Sequence, residues 1–560
     1  MTTRTPASAR QPVAGVLGAA AFGAVFFTWI AGARILDPTA IEWLMKGDWV
    51  PHHFGWHFFR VEPWHWPPGT VQSYYAPLGT SIGLTDSIPL AAYVLKPFGP
   101  WLPAHVQYLG PWLLLSFVLQ GALAARLIGR WVASPALQAA GGALCVLTPA
   151  LLARVGHTAL CSHWLLFWTL LLVTRPTPAR TASGAWLALG LAAGLVQPYL
   201  AAMVLALAAA VAVRGSDPPI RRAIALACVL GATAVGWWLS GMFILGGGRA
   251  AFTEGGLGYY SMNLLAYVAP LGWSRVVPAL PLAGPGQEAE SFHYLGLGLL
   301  GLVAVAAGLT LAARWRRGAS AAIRTWPPGV VAAALAMAVF ALSPIVTFGP
   351  WVLVDAGGPW TAPLATFRSS GRFGWPLGYV MVVWAIVTVG RRLSPRAALA
   401  VLGIALAVQL ADLHDAHLVR WRAARDPVFH DWPRLFASAR WAAIAPRYRH
   451  VELVPAPQCG AAPIPYEPAV RLAAEHGLTV NAGVIARRDL GAQRRYCVEA
   501  DAAIDAVRLR DDTLNDVSEP AAGVLERMGG PAVACGRIDT VWICTTAAAY
   551  AAWAGEAPFD

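Results

Sequence analysis

Long apolar runs separated by short polar turns dominate the first 412 residues. The first run, at about 12–33, follows Arg4 and Arg10 and is long enough to cross a bilayer. It lacks a small-residue cleavage signal, so it reads as a retained helix with a cytoplasmic N-terminus. A polar stretch follows at 34–104, and crossings resume at about 106–128, 136–154 and 160–174. The run at 184–213 is interrupted by Gln197-Pro198. It would make roughly 45 Å of helix, long for one span and short for two, so it reads as a broken pair. Further spans fit 222–246, 293–313, 328–348, 373–390 and 397–412, with polar segments at 247–292 and 349–372. The pattern predicts a mainly α, polytopic membrane protein of about eleven transmembrane helices.

From residue 413 the hydropathy drops and charges of both signs return. VELVPAP (451–457) and LTVNAG (478–483) read as strands, while AVRLAAEHG (469–477) and AAGVLERMGG (521–530) read as helices with glycine stops. The expected organisation is a transmembrane domain over 1–412 and a small external α/β domain over 413–560. The C-terminal part carries no Walker loop, GxGxxG or GxSxG, and no internal repeat is evident elsewhere.

Composition sharpens this. Hydrophobic residues make up 57% of the chain and charged residues 12%, against about 25% in soluble proteins. The net charge of +12 would suggest nucleic acid in a soluble protein. Here the bases cluster between apolar runs: Arg126 and Arg130; Arg175 and Arg180; Arg214, Arg221 and Arg222; Arg314, Arg316, Arg317 and Arg324; Arg391, Arg392 and Arg396. Every cluster falls on one side of the predicted topology, which is the positive-inside pattern and requires no nucleic-acid partner. Cys145, Cys161 and Cys228 lie in apolar runs. Cys459, Cys497, Cys535 and Cys544 lie in the polar C-terminal part without CxxC spacing, which fits one or two disulfides in an oxidising compartment.

The candidate chemistry gathers in the segments predicted to be external. Asp37 and Asp48 follow the first span; each suits either a helix cap or a general base at the membrane surface. In GDWVPHHFGWHFFR, His52 and His53 lie one helical turn beyond Asp48, as orienting partners of a base or as metal ligands. The aromatics Trp49, Trp56, Phe58, Phe59, Trp64 and Trp66 suit an interfacial belt or stacking on sugar rings. Asp86, in GTSIGLTDSIP, precedes a short apolar stretch (Ser87–Pro97) that reads as an interfacial helix. It serves either as a cap of that helix or as a second acid of the site. Arg368 and Arg372, in ATFRSSGRFGWP, break the positive-inside tendency and form a ready phosphate clamp, against the plainer alternatives of snorkelling or pairing with Asp355. His157 and His163 flank a predicted external turn, and Tyr199 follows the Gln197-Pro198 break, where freed backbone must line protein or a wet cavity.

One helix, a long external loop with an acid and two interfacial helices, a span ending in Arg, an outward–inward pair and a broken pair: this order resembles the GT-C superfamily of membrane glycosyltransferases. More narrowly, GDWVPHHFGWHFFR, PLGTSIGLTDSIPL and FRSSGRFGWP look like a family of bacterial membrane proteins distantly related to that superfamily. The resemblance implies an inverting transfer from a polyprenyl-phosphate sugar to an extracytoplasmic glycan or lipid acceptor. The loop acid would be the base, Asp48 first and Asp37 second, although Pro38 stands where the superfamily often has a second acid. Substrate contacts would come from Arg368, Arg372, His52, His53, Asp86, Trp56, His157 and Tyr199. A divalent metal ion is the one cofactor left open. The expected location is a bacterial inner membrane, with the C-terminal domain periplasmic. The competing readings are a flippase of a lipid-linked glycan and a non-catalytic membrane scaffold.

Overall fold

A computed structural model describes all residues except 1–12, 46, 104, 177–182, 214–216, 245–256, 318–324, 362, 414–435, 437, 461–464 and 507–508. Arg4, Arg10, Arg180, Arg214 and Arg324 therefore lie outside the described residues. The chain divides into two units. One comprises Met1–Asp37, Tyr108–Ala234 and Gly255–Asp426; the other Pro38–Gln107, Val235–Glu254 and Pro427–Asp560.

The first unit is helical. Its apolar helices are α1 (Val13–Ala31), α2 (Leu109–Ile128), α3 (Pro135–Val146), α4 (Trp164–Val173), α5 (Ser183–Val196), α6 (Pro198–Ala208), most of α7 (Pro219–Leu239, whose last five residues fall in the second unit), α8 (Leu297–Arg317), α9 (Pro328–Leu342), α10 (Trp375–Arg392) and α11 (Pro395–Asp412). Of these, α1, α2, α7, α8, α10 and α11 are long and apolar enough to cross a membrane alone. This is a polytopic helical membrane protein, as the apolar runs predict. Starts are set by local chemistry: Ser134 and Ser394 cap α3 and α11, each with proline in the first turn. Close packing is set by small residues. A Cβ at Gly23 would sit 2.4 Å from the Phe117 carbonyl oxygen, so α1 and α2 touch backbone to backbone.

The break in the 184–213 run is satisfied from within. Gln197 is extended and buried, and its side-chain oxygen accepts the N–H groups of Tyr199 (2.6 Å) and Leu200 (3.3 Å). The freed amides at the start of α6 are therefore capped without solvent. The span expected over 328–348 ends earlier, at Leu342, because Ser343 turns the chain at φ 60°. A hairpin follows, β1 (Ile345–Phe348) with β2 (Trp351–Asp355), whose second strand is exposed along its whole length.

The second unit holds the C-terminal α/β domain. Its sheet runs β4-β3-β5-β7-β6, with β3 (His450–Val454), β4 (Thr479–Val480), β5 (Thr513–Val517), β6 (Val533–Ile538) and β7 (Val541–Thr546). The pairs β3–β4 and β3–β5 are parallel; β5–β7 and β6–β7 are antiparallel. The helix Glu467–His476 stops where Gly477 takes φ 68°, the left-handed cap that glycine favours. Two disulfides, Cys459–Cys497 and Cys535–Cys544, use the four cysteines of this part. The loop after α1 belongs to this unit. Val480 N–H donates to the Ser73 carbonyl (2.9 Å) and Ala76 N–H to the Val480 carbonyl (2.8 Å), so residues 73–76 extend the sheet beyond β4.

Candidate active site: a buried arginine cluster

In the helical unit, the FRSSGRFGWP segment lies where the chain enters α10. Two glycines set its path. A Cβ at Gly371 would fall 1.8 Å from the Ser291 hydroxyl, and one at Gly374 within 2.6–2.8 Å of Met262 and His293. His293 Nε2 donates to the Gly371 carbonyl at 2.7 Å. Burial holds the His293 ring down at about pKa 4, so it stays neutral. The segment is pinned against residues 260–293, and that pinning aims Arg372.

Arg372 is buried and donates through Nε (2.8 Å) and Nη2 (2.6 Å) to one oxygen of Glu290. Arg154 Nη1 donates to that same oxygen at 3.0 Å. The Arg372 guanidinium also lies over the Tyr199 ring, 4.5 Å from its centroid. The Tyr199 hydroxyl accepts the Ser369 N–H at 3.1 Å. Burial alone would raise the Glu290 carboxyl, but Arg372, Arg154 and His157 outweigh it and hold the group well below the usual carboxylate range. Two guanidiniums thus converge on one carboxylate oxygen.

The predicted residues fall as follows. Arg368 and Arg372 do not share one helical turn: Arg368 ends the 3₁₀ turn Leu364–Phe367, with its guanidinium 6.0 Å from the Tyr260 ring centroid. The guanidinium that joins Arg372 on a common partner is Arg154, and the acid that pairs with it is Glu290, not Asp355. Sequence reading missed both Arg154 and Glu290. Arg154 offered a signal, being another arginine on the side the positive-inside pattern leaves poor. His157 is near enough to act on Glu290. Tyr199 carries Arg372 on its ring.

The remaining candidates are Asp37 and the loop residues. Asp37 closes a 3₁₀ turn, Arg34–Leu36, and is exposed; it does not cap the start of a helix. Asp48 is exposed at the N-cap position of the helix Trp49–Val61 and makes no capping bond to it. His52 and His53 are buried one turn up that helix. A ring nitrogen of His52 and a carboxylate oxygen of Asp86 lie within 4.8 Å of each other, so the acid beside His52 includes Asp86. Asp86 takes φ 53° and does not cap the next helix, Pro89–Leu95, whose N-cap is Ile88. Trp56 is 1% exposed and donates its indole N–H to the Val106 carbonyl at 3.1 Å, which places it in the core with no ring face open to a sugar. Trp64 and Trp66 are the exposed members of the aromatic run.

The family model of a domain of unknown function, DUF6311, matches residues 20–414, and that of the DUF6311 C-terminal domain matches residues 440–546. The chain belongs to the DUF6311 family. Among solved structures, this DUF6311 chain is similar to ArnT from Cupriavidus metallidurans bound to undecaprenyl phosphate. The identity is 12% and the TM-score 0.47, with 96% of this chain and 99% of that one covered. It is also similar to the archaeal oligosaccharyltransferase AglB from Archaeoglobus fulgidus in complex with an inhibitory peptide and a dolichol-phosphate. There the identity is 10% and the TM-score 0.40, with 90% and 69% covered. No curated protein matches it.

Proposed function

We propose that this protein is a GT-C-type glycosyltransferase that moves a sugar from a polyprenyl-phosphate donor to a glycan or lipid acceptor outside the cytoplasm. The observation that carries the reading is the Arg154–Glu290–Arg372 cluster. A sugar–phosphate–lipid diester bears one negative charge, and the lipid phosphate it releases bears nearly two, since a phosphate monoester has its second pKa near 6. Fixed guanidinium donors with low water access favour the product-like charge more than the ground state, which is the requirement for catalysis. Glu290 holds the guanidiniums in place, and Tyr199 and the His293–Gly371 bond fix the segment that carries Arg372.

The acceptor hydroxyl oxygen attacks the anomeric carbon as the bond from that carbon to the phosphate oxygen breaks, inverting the centre. The hydroxyl proton goes to a carboxylate of the first loop and the electron pair leaves on the lipid phosphate. The base role is assigned to Asp48, then Asp37, on the GT-C resemblance. Orientation follows the positive-inside pattern. Helix α10 starts at Trp375, beside the cluster, and ends at Arg391 and Arg392; on the positive-inside rule we assign the cluster to the extracytoplasmic end.

The test is complementation of a deletion strain. Arg372→Ala, Arg154→Ala, Asp48→Asn and Asp37→Asn are each expressed to wild-type level, and surface glycan and lipid-linked sugar are measured by mass spectrometry. Loss of the glycan with accumulation of lipid-linked sugar is expected for both arginine variants and for at least one aspartate variant. Wild-type glycan in all four contradicts the mechanism.

A further inference from the structure

The second unit contains a cavity of about 1000 Å³ that the proposed chemistry does not use. One wall is the first loop, residues 62–80; the other is the face of the sheet around β3 and β5. The loop wall is preorganised. The Glu62 carboxylate accepts the backbone N–H groups of Gln72 and Ser73, the Ser73 hydroxyl, and the His65 ring N–H. Pairing of residues 73–76 with β4 then fixes the loop to the sheet.

We infer that this cavity binds an oligosaccharide, the glycan portion of the acceptor; this rests on the transferase reading. Its volume stands at the upper end of small-molecule sites, about 300–1,000 Å³, so it exceeds the need of one sugar ring. Its lining is mixed in the way a sugar requires. Gln72, Glu452 and Tyr496 bring amide, carboxylate and hydroxyl groups, and Leu78 and Leu453 bring aliphatic surface for the C–H faces of the rings. Thr80 is 1% exposed and shapes the wall of the cavity. The Tyr496 hydroxyl accepts from the Asn481 amide at 3.3 Å and keeps its own proton to donate.

The other ligand classes fit less well. An anion would need uncommitted cations, yet Arg510 is paired with Glu452 (3.3 Å) and Asp512 (3.6 Å). An extended peptide adds to a sheet edge, and the β4 edge is already taken by residues 73–76.

The test uses the full-length protein in nanodiscs. The probe is delipidated oligosaccharide released by mild acid from the envelope of the producing cells, with binding read by saturation-transfer NMR and calorimetry. Wild type is expected to bind. Leu78→Trp, which fills the cavity, and Tyr496→Phe, which removes only the hydroxyl, are expected to weaken binding by about tenfold and about threefold respectively. Gln72→Ala, at an exposed position, guards against misfolding of the first two and is expected to weaken binding about threefold. Arg396→Ala, at an exposed position far along the chain from the cavity, is expected to bind as wild type. No binding by wild type, or equal binding by the three cavity variants, overturns the assignment. If donor turnover persists in that case, the transferase reading stands without it. Binding by a protein that never consumes donor instead leaves the cavity assigned and removes the transferase.

Discussion

Glu290 accepts both the Nε–H and the Nη2–H of Arg372 on a single carboxylate oxygen, at 2.8 and 2.6 Å. Arg154 reaches the same oxygen from a segment 136 residues away. Removing one member of a buried pair leaves the rest unpaired at a cost of about 3–5 kcal/mol, far more than an exposed pair is worth. Glu290→Gln is therefore expected to lower the thermal unfolding midpoint in detergent by several degrees, because two guanidiniums then face each other without their shared carboxylate. An unchanged midpoint would show the cluster to be loosely held.

Arg372→Lys separates charge from geometry. Lysine keeps the positive charge but loses the planar fork that places two N–H groups on one oxygen. Turnover of a polyprenyl-phosphate sugar is expected to fall by about 10²–10³, the usual cost of losing one transition-state donor. Arg396→Ala, at an exposed position in the first turn of α11, is expected to be neutral. Equal rates for wild type and Arg372→Lys would assign the cluster a purely structural role.

Three buried histidines on the helix Trp49–Val61 give the second unit a defined pH dependence. Burial lowers His52 to about 3 and His57 to about 4, and it lowers His53 well below the ordinary value. All three are neutral when folded, whereas the unfolded chain takes up protons near pH 6.5. The unfolded state then binds more protons, so stability is full above about pH 6.5 and is lost as pH falls toward 4, by up to about 1.4 kcal/mol per pH unit for each ring. Hydrogen exchange of this helix, corrected for intrinsic rates, is expected to speed up between pH 7 and pH 5, with a smaller change in His57→Phe. Protection that does not vary over that interval would refute the account.

The spans were legible because lipid demands some twenty consecutive apolar residues and allows few substitutes for them. The break at Gln197-Pro198 and the glycine stop at Gly477 were legible for similarly local reasons. The site was legible only in part. Arg372 stood out because an arginine on the arginine-poor side asks for a partner, but that partner lies 82 residues away in sequence and leaves no periodic trace. Residue type also cannot separate Trp56, buried with its N–H bonded, from Trp66, which is 79% exposed seven residues beyond Phe59. Asp86 reads as a cap by type; its positive φ turns it from that role toward His52.

The disulfides give an independent check on the compartment. Cys459–Cys497 closes a separation of 38 residues, a loop whose closure constrains the unfolded chain by about 3–4 kcal/mol. Protein purified without reductant is expected to show no alkylation at Cys459, Cys497, Cys535 and Cys544, and reductant is expected to destabilise the C-terminal domain selectively. Free thiols at these four positions in freshly isolated membranes would place the domain in a reducing compartment.

Orientation is testable by labelling. Val352→Cys lies on the exposed strand β2, and Trp315→Cys, at a position 92% exposed, lies among the arginines ending α8. A membrane-impermeant thiol reagent is expected to label Val352→Cys in intact spheroplasts and Trp315→Cys only after permeabilisation. The reverse result would invert the topology and put the arginine cluster in the cytoplasm.

The most direct measurement is the affinity of purified protein for undecaprenyl phosphate, taken as the probe for the leaving group. Wild type and Arg396→Ala should bind it alike, while Arg372→Ala and Arg154→Ala should each lose about tenfold or more. Equal affinity across all four proteins would contradict the claim that this buried cluster receives a lipid phosphate.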